Sequence, residues 1–264
     1  MKSESTTLGF RQRLLEASRR RGSKLILALD LFGPYDGRLD NAVRVLNETK
    51  EHLAAVKVNH HLLLPYGLQG LRSVISACKD EGLPLIADLK MNDIESTNLN
   101  IVDSLLDYGF DSVIANPFVG REEGLGSVIE RVHSKNGGIL FLVYMSHKGA
   151  GEGYSLRLEG GELLYRVFAH RARDWGADGV VVSAKSADKI AETRQIVGEE
   201  CLIFSPGVGA QGGDASSGIS AGADFVFVGR SITESLEPSK TAAKLKSFQE
   251  LPPAQTRSHS WVPE

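Results

Sequence analysis

The 264-residue chain has only two cysteines, Cys78 and Cys201, far apart and outside any Cys-x-x-Cys pair. That excludes a disulfide framework and a zinc ribbon, and it fits two buried thiols in a reducing cytoplasm. A basic excess is missing too: the net charge is −3, which argues against a nucleic-acid footprint. No apolar run approaches the roughly 20 residues of a membrane helix. The longest, ILFLVYM at 139–145, has the length of a strand. The leading segment lacks a secretory apolar region, and Glu4 and Glu16 count against a transit peptide. Residues 1–23 are read as an N-terminal helical extension packed against the body, and the Pro-rich stretch 249–264 as a loose tail. The expected location is cytoplasmic, with no membrane and no nucleic acid as partner.

What the chain does have is a regular alternation. Short β-type runs fall at 25–30, 54–59, 83–90, 111–116, 138–145, 178–183, 201–206 and 224–229. Helical periods occupy 39–53, 67–81, 94–108, 121–135, 160–175, 187–198 and 213–221, with a last helix after Arg230. Several runs are almost wholly apolar, as expected of parallel strands covered on both faces. Gly109, Gly176 and Gly222 suit left-handed helix ends, and an Asp two residues later opens each next strand. Eight such units with no linker predict one α/β domain over 24–248, a closed (β/α)8 TIM barrel with a leading N-terminal helix. An open doubly wound sheet is the alternative, and the regularity favours closure.

In such a barrel the C-terminal strand ends carry the chemistry. The stretch LPLIADLKMNDIEST at 83–97 runs from buried apolar residues straight into Asp88, Lys90 and Asp93. Together with Asp30 and Lys57, these charges would converge at one mouth. Flanking carboxylates keep an ammonium group charged. A lysine fixed in that form is a proton donor and an electrostatic clamp, and a poor Schiff-base nucleophile. The cluster therefore points to proton delivery onto a developing carbanion.

The loop SPGVGAQGG at 205–213 holds Gly207, Gly209 and Gly212 in a literal G-x-G-x-x-G. A dinucleotide fold would need an acidic residue ending the next strand, which here ends in Gly229-Arg230. A phosphate monoester site after strands seven and eight fits better, with backbone N–H groups and Arg230 as donors. His60-His61 does not suggest a metal, because adjacent residues rarely hold one ion and no third ligand is spaced nearby. His147 reads as a loop residue. Ser146, just past the fifth strand, could hydrogen-bond a flat polar ring.

Assembled in order, LALDL, VKV, DLKMNDIESTN, MSHKGA, SPGVGAQGGD and VGRSI resemble the orotidine 5'-monophosphate decarboxylase family over about 24–248. The D-x-K-x-x-D-I-x-x-T signature is present as Asp88, Lys90, Asp93, Ile94 and Thr97. The resemblance implies a homodimer that decarboxylates orotidine 5'-monophosphate without metal or other cofactor. Lys90 would protonate C6 once carbon dioxide leaves, with Asp88 beside the substrate carboxylate and Lys57 beside Asp88. Asp93, Ile94 and Thr97 would reach the partner's site. Asp30 and Lys57 would meet the ribose and Ser146 the pyrimidine edge. Gln211 would bridge base and phosphate from the loop opened by Pro206, and Gly229 and Arg230 would hold the phosphate. Lys148, where proline is frequent, and His60-His61 depart from the family's commonest forms. Magnesium-dependent sugar-phosphate decarboxylases or aldolases sharing D-x-K-x-x-D are the alternative, opposed by Ile94, Thr97 and Gln211. A non-catalytic phosphate-ligand sensor would have no use for the Asp-Lys-Asp trio.

Overall fold

The apolar runs become the eight parallel strands of a closed barrel, paired in chain order with the first strand meeting the eighth. The computed structural model describes residues 8–207 and 215–247. The strands are β1 (Leu25–Ala28), β2 (Ala55–Asn59), β3 (Leu85–Met91), β4 (Ser112–Ala115), β5 (Gly138–Tyr144), β6 (Gly179–Val182), β7 (Leu202–Pro206) and β8 (Phe225–Val228). Around them run α1 (Phe10–Arg21), α2 (Arg38–Thr49), α3 (His60–Gly70), α4 (Arg72–Asp80), α5 (Glu95–Tyr108) and α6 (Gly126–Ser134). The chain continues through α7 (Ala150–Tyr154), α8 (Leu164–Trp175), α9 (Ala187–Val197), α10 (Ala215–Ser220), α11 (Arg230–Thr233) and α12 (Pro238–Ser247). No described helix is long and apolar enough to cross a membrane.

Strand periodicity splits the apolar residues into two cores. Val56 and Val58 of β2 face outward, into the layer between barrel and helices. Ala55 faces inward with Ile26, Ile86, Ile114, Leu140 and Phe204. That is why the strands read as continuous apolar runs: both faces are covered. Phe10 and Leu14 of α1 belong to the inner core, so α1 stoppers the barrel's N-terminal end rather than lying on its flank. Gly138 is glycine for this reason, since a Cβ there would lie 2.1 Å from Phe10 Cδ1. Both cysteines are buried free thiols, and burial pushes Cys201 up to about 12.

Helix boundaries differ from the periodicity in places with identifiable causes. The helix expected at 67–81 is two helices, and the first begins directly at the end of β2. Asn59 caps it, its side chain accepting from the His61 N–H at 2.9 Å. Pro65 and the left-handed Gly67 then interrupt it. The helix expected from 160 starts at Leu164, because Gly161 sits at φ 83° in a turn closed by an isolated Arg157–Leu163 bridge.

Candidate active site

The inward parity that places Ala55 and Ile86 in the lower core places Lys57 and Asp88 two residues higher, at the C-terminal mouth. Both are nearly inaccessible, at 4% and 6% exposure, so their charges are held by each other and not by water. Lys57 Nζ donates to Asp88 Oδ2 at 2.7 Å, and Lys90 Nζ to Asp88 Oδ1 at 2.6 Å. Lys57 also reaches Asp30 Oδ1, just beyond β1, at 3.3 Å. Burial opposes the charge on Lys57, but Asp88 and Asp30 outweigh it and raise the lysine above its ordinary range. Burial likewise opposes ionisation of Asp88, and Lys57 and Lys90 outweigh it, holding the carboxyl down at about 2. Lys57 and Asp88 are therefore both charged at neutral pH.

Lys90 arrives there through a local distortion. Between Ala87 and Met91, β3 spends four residues where β4 spends two, from Val113 to Ala115. Within that bulge Lys90 takes φ 50°, one of three non-glycine residues with positive φ among those described. Such a conformation in a lysine is uncommon and concentrates at functional sites.

These groups line a cavity of about 410 Å³ with Ser146, Pro206, Gly207, Gly229 and Arg230. Glycine at 229 keeps the β8 rim clear, since a Cβ there would press on Asp30 Oδ2 at 3.3 Å. The floor is apolar, formed by Ile114, Leu142, Val181 and Phe227. One end of the cavity is thus a hydrogen-bonded Lys-Asp-Lys array, and an arginine stands on the rim of β8. The model of the orotidine 5'-phosphate decarboxylase / HUMPS family matches residues 23–245. The chain belongs to that family.

Among relatives, the orotidine 5'-phosphate decarboxylase of Methanococcoides burtonii is 35% identical over 84% of this chain and 95% of its own. The Methanocaldococcus jannaschii orotidine 5'-monophosphate decarboxylase, solved with inhibitor BMP, matches at TM-score 0.74 and 28% identity. That match covers 87% of this chain and 99% of that one. The Leishmania donovani UMP synthase matches at TM-score 0.81 and 26% identity, over 91% of this chain but 56% of that one.

Not every charge of the family signature converges here. Of the five expected at the mouth, four line this cavity, and Asp93 does not. Asp93 is exposed on the loop before α5, its Oδ1 accepting from the Ile94 N–H at 2.8 Å. Ile94 and Thr97 beside it are also exposed. Buried Asn98 fastens this loop by donating to the Asp93 carbonyl at 2.5 Å. Gln211, Gly209 and Gly212 lie outside the described residues, as does the tail 249–264.

Among the wall residues, Phe32 and Asn59 escaped the reading of the sequence, and His61 was read only as a departure from the family's commonest forms. Asn59 donates to Asp30 Oδ1 at 2.6 Å and His61 Nδ1 lies 2.8 Å from Asn59 Oδ1. The signal for Asn59 was available, because it stands two residues past Lys57 on the same inward face of β2. His61 had none, since its place depends on α3 starting at once.

Proposed function

We propose that this protein decarboxylates orotidine 5'-monophosphate to uridine 5'-monophosphate, the final step in making the pyrimidine nucleotide, without a cofactor. The observation that carries the reading is Asp88 held between Lys57 and Lys90 in a cavity whose rim carries Arg230. Cleavage of the C6–carboxylate bond leaves its electron pair on C6 as an sp² carbanion with little resonance relief. The Lys90 ammonium stabilises that charge and gives C6 a proton, becoming neutral until solvent returns one. It needs no reorganisation at that moment, because Asp88 already fixes its position. Asp30 and Lys57 meet the ribose, Ser146 the pyrimidine edge, Gly229 and Arg230 hold the phosphate, and Pro206 lines the substrate cavity. Gln211 bridges base and phosphate. Phosphate binding far from C6 contributes energy to the transition state.

The enzyme works as a cytoplasmic homodimer whose sites are shared, Asp93, Ile94 and Thr97 of each subunit completing the other's. Its domains are a helical extension over 1–23, the barrel over 24–248 and a C-terminal tail over 249–264. Support for a metal-free reaction comes from occupancy: both Asp88 oxygens already accept from ammonium groups, so a divalent cation would have to displace one. Among the described residues no cluster of three or more His, Cys, Asp or Glu is placed to hold a metal.

The test is loss of orotidylate ultraviolet absorbance with the purified full-length protein. Turnover that survives exhaustive chelation is expected. Turnover that vanishes with chelator and returns with magnesium would favour a sugar-phosphate enzyme of the same family, and nucleotide binding without turnover a ligand sensor.

A further inference from the structure

We propose that His61 binds substrate through its Nε2, which accepts a hydrogen bond from a sugar hydroxyl and so selects ribose over a deoxy sugar. The proposal rests on the nucleotide reading above and adds a residue to it. It begins with the Asn59 amide, whose orientation is fixed from two sides. Its Oδ1 accepts the His61 backbone N–H at 2.9 Å, and its Nδ2 donates to Asp30 Oδ1 at 2.6 Å. A flipped amide would set NH2 against a backbone N–H and oxygen against a carboxylate. The same Oδ1 lies 2.8 Å from His61 Nδ1. An amide oxygen only accepts, so Nδ1 must carry the hydrogen, and the neutral ring then offers Nε2 as an acceptor.

The ring is held where that acceptor is useful. It lines the cavity, the Phe32 ring lies 4.6 Å from it at 60°, and Arg38 Nη1 donates to the His61 carbonyl at 3.2 Å. On the same wall Asp30 has its Oδ1 engaged by Asn59 and Lys57, which leaves Oδ2, on the side of Gly229, for a ligand. Asn59 therefore couples two acceptors, Asp30 Oδ2 and His61 Nε2. A vicinal diol supplies two donors and matches this pair. A phosphate dianion supplies none and would be repelled by Asp30, and the carbanion end of the ligand belongs to Lys90.

The experiment is calorimetry with uridine 5'-monophosphate and its 2'-deoxy and 3'-deoxy counterparts, on wild type, His61→Phe and His61→Gln. Wild type should bind both deoxy ligands more weakly, by about tenfold for the one lacking the hydroxyl on His61. In His61→Phe, which keeps a ring against Phe32, the ribonucleotide should weaken about tenfold while that deoxy ligand does not change, so that the two bind about equally and their gap closes. The other deoxy ligand should keep its penalty, which reports Asp30. His61→Gln, retaining an acceptor, should restore part of the gap, and KM for orotidylate should change more than kcat. If His61→Phe does not fold, His61→Leu reads the same gap. An undiminished gap in the variant, or equal weakening of all three ligands, overturns the proposal. A wild type that shows the His61-dependent gap but leaves orotidylate unconsumed overturns the decarboxylase reading alone.

Discussion

Lys90 holds a left-handed backbone at φ 50°, where a Cβ crowds the following carbonyl at a cost of about 1–2 kcal/mol. The strain persists because the lysine is over-determined: the β3 bulge sets its backbone and the 2.6 Å bond to Asp88 sets its tip. Backbone and side-chain contributions can therefore be separated. Lys90→Ala and Lys90→Gly both remove the ammonium and should both lose decarboxylation, but the glycine variant should be roughly 1 kcal/mol more stable in urea. An alanine variant as stable as the glycine one would mean that the bulge relaxes once the lysine is gone. The residues of the array were legible in the sequence because strand parity fixes which side chains face the barrel mouth, and Lys57 and Asp88 obey it. The left-handed turn at Lys90 was not legible, since it arises from a register shift against β4 that no local pattern in DLKMND reveals. His61 was hidden for a related reason, its position depending on a cap made by its neighbour's side chain.

At the scale of elements, the eight strands appear where apolar runs and strand-opening aspartates place them. Those aspartates have a structural task as well: Asp111 and Asp178 accept from the backbone N–H of Leu85 and Ile139, each on a neighbouring strand, at 2.8 Å. Helix starts were less legible, because Asn59 and Gly161 act through tertiary or turn geometry that a period of 3.6 residues does not encode. The placement of α1 is the clearest such case. Its periodicity announces a buried face, but a pattern of apolar residues cannot say whether that face covers the flank or stoppers the end. In the structure Phe10 is 1% exposed and packs with the inner core below the charged mouth. Phe10→Ala should therefore cost about 3–5 kcal/mol in urea denaturation. KM and kcat measured well below the melting temperature should stay near wild type, since the lesion lies at the opposite end of the barrel from Lys90. A fall in kcat at unchanged stability would instead tie the stopper to the catalytic mouth.

The whole molecule raises the question of what completes the cavity. Its walls contain Asp30, Lys57, Asp88 and Lys90, while Asp93 of the same signature stands exposed on the loop before α5 with Ile94, itself 62% exposed. An apolar residue and a carboxylate displayed together on a fastened loop suit a two-fold interface in which each subunit lends the pair to the other. On that reading Lys90→Ala and Asp93→Ala homodimers are each nearly inactive, because every site carries one lesion. In a mixed dimer one site carries both lesions and the other carries neither. Random reassortment gives about half mixed dimers and leaves about half of their sites intact, so activity should recover to roughly a quarter of wild type. Circular dichroism must first show that both variants fold, and tagged subunits that they exchange. If verified mixed dimers remain as inactive as their parents, Asp93 serves its own subunit, and the loop before α5 must close over its own barrel to do so.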